Sequence, residues 1–255
     1  MTTFPSRLIA AVLALAFVPP AHVFARDSEQ HAIQAIEKGG GYCEVDKDHP
    51  DQPVVGVILQ GKQFKDAELA HVAAFRDLKQ LALAGSQVTD EGLVHLKDLK
   101  ELESLYLTLT KVKGKGFVHL KGLDKLESLD LHGCQITDDS LKHIATLKGL
   151  RGLNLNSTPV SDKGLVHLKG LKRLLTLALY GTKVTDDGLI HVKDLPELHT
   201  LVLSETLVTD KGLKHLYGMK QLLSVSAIRT GVTDRGAADL EAALPDVTVI
   251  HKIGE

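Results

Sequence analysis

Residues 81–104 read LALAGSQVTDEGLVHLKDLKELES, residues 129–152 read LDLHGCQITDDSLKHIATLKGLRG and residues 177–200 read LALYGTKVTDDGLIHVKDLPELHT. The three segments align without a gap, and the spacing between them is a multiple of 24 residues. Extending the register in both directions gives unit starts at Val57, Leu81, Leu105, Leu129, Leu153, Leu177, Leu201 and Val225, so that residues 57–248 hold eight units of 24. A fixed period of this length marks a solenoid, in which each unit stacks on its neighbours. Two periodicities alternate inside the unit. Leu81 and Leu83 are two apart, as in a strand with one buried face, whereas Leu93, Leu96 and Leu99 are three apart, as in a short α or 3-10 turn. With Leu78 and Val88 these form the inward set of one coil. A single coil buries too little apolar surface to offset the ordering of its backbone, so stability is collective and the ends require caps.

Polar residues also recur. Asp66, Asp90, Asp138, Asp162, Asp186, Asp210 and Asp234 occupy one column, within Val-Thr-Asp-x-Gly or a close variant. Thr or Asp at this point can accept backbone N–H groups at the helix start, and a carboxylate suits the positive end of the helix. Calcium is the competing reading, but one acid per coil does not supply the 6–8 oxygens that calcium takes. A second column, Ser86, Thr110, Cys134, Thr158, Thr182, Thr206 and Thr230, is expected to point inward and bond the backbone of the adjoining coil. One unit departs from the pattern. It reads Val112-Lys113-Gly114-Lys115-Gly116, lacks the acid, and with Lys111 makes a small basic rim at Lys111, Lys113 and Lys115. Local drift in a redundant array and a contact with an anion are both open.

The pattern Leu-x-x-Leu-x-Leu-x-x-(Thr/Cys/Ser)-x-Val-Thr-Asp-x-Gly-Leu resembles leucine-rich repeats of the ribonuclease-inhibitor-like class. It is similar to the cysteine-containing repeats of F-box-type proteins and to short exported bacterial leucine-rich-repeat proteins. The resemblance covers about three quarters of the chain. It implies an α/β solenoid curved as a horseshoe, with a parallel sheet on the concave face and short helices on the convex face. It also implies a non-catalytic binding module, since many binding roles share this scaffold.

The ends read differently. Arg7 followed by the apolar run Leu8–Val18, with Val23, Phe24 and Ala25 at the cleavage positions, predicts a signal peptide over 1–25, and hence export to a periplasmic or extracellular space. The run is shorter than the ~20 residues a membrane span needs, although retention as an anchor is the alternative. Residues 26–56 are expected to form an N-terminal cap. Within it, a helix over 28–38 starts at Ser28 and places Ile33 and Ile36 on one face, Gly39 to Gly41 end it, and strands follow over Tyr42–Val45 and Val54–Leu59. Residues 249–255 are expected to form a C-terminal cap strand and tail, with the alternation at Val247–Ile250 marking the strand. Cys43 and Cys134 are separated by three units, too far for the ~7 Å a disulfide allows, so two free thiols are expected.

A formal charge of −2, falling to −3 once Arg7 is removed, gives no support for nucleic acid as a partner. His71, His95, His119, His143, His167, His191 and His215 hold one place in seven successive units. They lack a Cys or acid at ligand spacing, so no metal site is expected. Charging as pH falls through the ordinary histidine range is the better use for such a stripe. No nucleophile elbow, phosphate loop or His-Glu-x-x-His motif is present, and no cofactor is expected. Side chains between the buried leucines line the concave face. In the middle coils these are Tyr106, Asp130, His132, Asn154, Asn156 and Tyr180, a set suited to protein or peptide contact by a monomer. A polysaccharide or cell-envelope ligand is the second reading, and an enzyme with a scattered site the third.

Overall fold

The computed structural model describes the backbone of residues 21–252 and the side chains from Asp27 to Lys252. Ten strands form one sheet in chain order. They are β1 (Tyr42–Val45), β2 (Val54–Ile58), β3 (Gln80–Ala82), β4 (Ser104–Tyr106), β5 (Ser128–Asp130), β6 (Gly152–Asn154), β7 (Thr176–Ala178), β8 (Thr200–Val202), β9 (Ser224–Ser226) and β10 (Thr248–Ile250). The pair β1–β2 is antiparallel. Every later pair is parallel, with each residue facing the one 24 positions on, as Leu81 faces Leu105 and Leu105 faces Leu129. The sequence period is therefore the strand register itself. Short turns of α or 3-10 helix return the chain between strands, for example Gly92–Leu96 and Leu189–Val192. The molecule is an α/β solenoid. Its core is one continuous cluster in which Leu78, Leu81, Leu83, Val88, Leu93, Leu96 and Leu99 are all fully buried.

The caps use the only long helices among the described residues. Helix α1 (Ala21–Lys38) buries Ala32 and Ile36 against the first coil. It begins seven residues before Ser28, because nothing between Ala21 and Ser28 interrupts it. The helix runs through the expected cleavage point after Ala25, while the apolar run Leu8–Val18 lies outside the described residues. At the far end the 10-residue helix Asp234–Ala243 buries Ala237 and Leu240, and β10 follows it. Strand β2 stops at Ile58, one residue short of Leu59.

The aspartate column does not cap its own helices. Five of the seven carboxylates instead reach the following coil, where each accepts the backbone N–H and the hydroxyl of one residue. Asp66 takes both from Thr89, at 2.8 and 2.7 Å. Asp138 does the same with Ser161, Asp162 with Thr185, Asp186 with Thr209 and Asp210 with Thr233. Capping within the coil falls to threonine: Thr185, Thr209 and Thr233 accept the N–H of Asp187, Lys211 and Gly236. The clamp explains the glycine of Thr-Asp-x-Gly. A Cβ at Gly164 would lie 2.6 Å from Asp138 Oδ1, and one at Gly212 2.5 Å from Asp186 Oδ1, with Gly92, Gly188 and Gly236 tighter still. The preceding coil's carboxylate occupies the space that a side chain would need.

The small-residue column also corrects its expectation. Thr158, Thr182, Thr206 and Thr230 donate to carbonyls three residues back in their own coil. Cys134 crosses over instead, its thiol lying 3.0 Å from Leu107 O and 3.4 Å from Thr110 Oγ1. Burial raises the Cys134 thiol pKa, and burial followed by the nearby Glu37 charge raises that of Cys43 to about 11. Neither cysteine is in a disulfide.

Candidate functional site

The concave face is built by the residues that alternate with the buried leucines, and five of the six expected there form one hydrogen-bonded ladder. Asp130 on β5 accepts from Thr108 Oγ1 at 2.9 Å and from the His132 N–H at 2.9 Å through one oxygen. Its other oxygen accepts from Asn154 Nδ2 at 3.0 Å. Asn154 Oδ1 takes the Asn156 N–H, and Asn156 Oδ1 takes the Tyr180 N–H at 2.8 Å. Asp130, Asn154 and Asn156 thus hold the loops after β5, β6 and β7 in place. Their acceptor oxygens are taken up by these donors, which leaves the Asn156 amide donors, the His132 ring and the two tyrosine rings available to a ligand. Tyr106 is exposed and Tyr180 half-buried. They sit on coils three strand steps apart, roughly 14 Å at sheet spacing.

Tyr180 opens onto a second feature absent from the sequence reading. Tyr180, Val202, Ser204, Glu205, Ser226, Ile228 and Arg229 line a shallow depression of about 350 Å³. The Tyr180 hydroxyl donates to the Glu205 carboxylate, which also accepts from Arg229 Nη1 at 2.7 Å. The shared proton raises the tyrosine pKa and holds the Glu205 carboxyl below its usual range, with Arg229 adding to the second effect. Ser204 is buried, pairing with Ser226 Oγ and accepting the Ile228 N–H. Glu205 and Arg229 have φ of 57° each, in the left-handed region. In the same column Gly61, Gly85, Gly133 and Gly181 adopt this conformation without cost, whereas Leu109, Ser157, Glu205 and Arg229 hold it with a side chain. Strain of this kind gathers where side chains serve a ligand. The signal was present in the sequence, as a glycine column interrupted four times.

The basic rim lies on the flank between sheet and helices. Lys111, Lys113 and Lys115 are exposed. Asp90 reaches this coil as its counterparts do, but it accepts three backbone N–H groups, from Lys113, Gly114 and Gly116, at 2.9–3.2 Å. Gly114, which stands where the other units have aspartate, has φ of 102°. Across from it the next unit carries Ser140 in place of glycine, and Ser140 Oγ donates to Lys113 O at 2.7 Å. The missing carboxylate and the added side chain are one coupled change, with the serine filling the space from the opposite side.

The histidine column lies on the convex face, with His71 and His119 exposed and His95, His143, His167, His191 and His215 half-buried. Among the described residues no three His, Cys, Asp or Glu side chains are grouped to hold a metal. No helix among them is long and apolar enough to cross a membrane.

A family model described as Leucine Rich repeat matches residues 124–145, one strand-and-helix unit. The crystal structure of internalin C2 from Listeria monocytogenes superposes with a TM-score of 0.64 at 21% identity, covering 89% of this chain and 92% of that one. A search of curated proteins returns no match. The structural likeness shows the fold, that of a leucine-rich-repeat solenoid.

Proposed function

We propose that the protein is a non-catalytic binding module that takes a protein or peptide on its concave face, with Tyr106, His132, Asn156 and Tyr180 in contact and Asp130 and Asn154 fixing their positions. The hydrogen-bonded ladder from Asp130 to Tyr180 carries this reading. It pre-orders a polar platform between two tyrosines, so that a ligand meets side chains already held in place. Tyrosine offers large contact area with few torsions to freeze, and is favoured at such surfaces. The depression beside Tyr180 extends the platform toward β9. The leader-like start of the sequence supports export, and the monomeric state is part of the proposal.

Peptides selected from a displayed library against the folded protein test this. Tyr106→Ala and Tyr180→Ala should each raise Kd by about tenfold or more, the effect of losing a buried aromatic contact. His95→Ala and His191→Ala on the convex face should leave Kd unchanged. Selected peptides that bind both tyrosine variants as tightly as the parent would place the binding surface elsewhere. Oligosaccharides screened in parallel would reveal the polysaccharide alternative by the same pair of variants.

A further inference from the structure

The altered unit makes more than a local exception. Lys113, Lys115, Gln135, Thr137, Asp139, Ser140, Lys142 and His143 enclose a cavity of about 280 Å³. A larger trough of about 430 Å³ adjoins it, shares Lys113 and Gln135, and continues to Thr89, Glu91 and Lys111. Three lysines therefore line the smaller cavity against one acid, Asp139, in a chain whose net charge is negative. The sequence departs from its own repeat in a way that produces this balance. Position 114 would carry the clamp aspartate in a regular unit and carries glycine here. Position 113 would carry Thr or Ser and carries lysine. The nearest acid of the preceding coil, Asp90, is engaged by three backbone N–H groups rather than by lysine heads.

The remaining donors fit the same chemistry. The Gln135 amide and the Thr137 hydroxyl line the cavity beside the lysines. The Thr137 hydroxyl donates to Ser140 Oγ at 3.0 Å and Ser140 donates onward to Lys113 O, so both hydroxyl protons are used within the wall and the amide of Gln135 is the neutral donor left. The adjoining trough is different. Glu91 stands there, its carboxyl held below the usual range chiefly by the Thr89 hydroxyl and least by the charge of Lys113. It suits neutral hydroxyls rather than a second anion.

We propose that this cavity, on the flank and separate from the concave face, binds a tetrahedral oxyanion, a phosphate or sulfate group borne as a monoester on a small polar molecule. The lysines of 113, 115 and 142 supply the charge, Gln135 supplies a neutral donor, and the adjoining trough takes the uncharged remainder. Phosphate and sulfate share this chemistry, and the experiment separates them.

Amide chemical shifts of the full chain are followed while inorganic phosphate, inorganic sulfate, glucose 6-phosphate, glucose 6-sulfate or acetate is added at fixed ionic strength. Saturable shifts centred on Gly114, Gly116 and Gln135 are expected for the phosphate series or for the sulfate series, and none for acetate. The stronger series identifies the source. Lys113→Gln with Lys115→Gln should weaken binding by about tenfold or more, as loss of charge-assisted contacts does. Lys169→Gln, on the convex side, should change nothing. Gly114→Asp with Ser140→Gly restores the repeat pattern and keeps every lysine, and it too should weaken binding, by returning a carboxylate to the wall. Shifts that stay linear with concentration, or that survive the paired lysine change, would overturn the site. They would leave the concave-face reading untouched.

Discussion

The coil-to-coil clamp can be tested by moving the natural exception to another place in the array. Asp162 accepts from Thr185 N at 2.8 Å and from Thr185 Oγ1 at 2.7 Å. Asp162→Gly removes two hydrogen bonds to a charged group, worth ~1.5–3 kcal/mol each and nearer the lower figure at this half-buried site. It also adds ~1 kcal/mol for glycine in a helical turn, for a loss of about 4 kcal/mol. Gly188→Ser alone drives a Cβ into Asp162 Oδ1 and costs about 2–3 kcal/mol by overpacking. The new side chain meets no backbone obstacle, because Gly188 has an ordinary helical φ of −63°. Together the two changes reproduce the natural pairing of Gly114 with Ser140. The introduced serine fills the vacated space, and its hydroxyl can donate to the Ser161 carbonyl as Ser140 donates to Lys113 O. The double variant is then no less stable than Asp162→Gly, a coupling of about 2 kcal/mol or more relative to the sum. Urea unfolding followed by both far-ultraviolet circular dichroism and tyrosine fluorescence measures it, coincidence of the probes establishing a single transition. Losses that add to within ~0.5 kcal/mol would refute the shared-space argument.

Three further outcomes follow from the caps and thiols. With its thiol at about 11 against 9.0 for a free cysteine, Cys43 should hold about a hundredfold less thiolate at pH 8 and alkylate correspondingly slowly until the chain unfolds; iodoacetamide rates before and after urea decide this. Glu241 Oε1 accepts the Val249 N–H at 3.0 Å, blocking the outer edge of β10, so Glu241→Ala should cost about 1 kcal/mol and introduce concentration-dependent association. Sedimentation showing the same monomer at every concentration would contradict that role. Deleting residues 26–56 removes α1 and β1 from Leu59 and Phe64, both now buried, and should cause aggregation, whereas an unchanged monomeric melting profile would show the cap to be dispensable.

The fold was legible because its signal is repeated. Leu81, Leu105 and Leu129 stand 24 apart in the sequence and face one another in the sheet, so periodicity and register are the same fact. Hydrogen-bond destinations were less legible. Asp66 and Thr89 are 23 residues apart, and nothing local to Val-Thr-Asp-x-Gly shows that the carboxylate crosses to the next coil rather than turning to its own helix start. The exception held the clue, since the unit without aspartate is followed by the one with Ser140 in place of glycine. Of the candidate face, Tyr106, Asp130, His132, Asn154, Asn156 and Tyr180 could be assigned to one surface by alternation alone. Alternation says which way a side chain points and not what it bonds, so the division between Asp130, which holds loops, and Tyr106, which is exposed, needed coordinates. Glu205 and Arg229 were missed because they follow the strands, outside the alternating positions.

Every clamp runs from one coil to the next in the same sense, with the carboxylate behind and the Thr or Ser ahead. Such an array has a head and a tail, like a polymer with a reactive end, and its bonding sets no length of its own. Asp234 is the last carboxylate of the column among the described residues. His251 and Lys252 take the place of the missing partner, each at 2.7 Å, while Glu241 closes the strand edge alongside. These few residues act as a terminator. Replacing them with another unit that begins beside β10 and offers a threonine to Asp234 would lengthen the concave face without altering any bond between the coils before it.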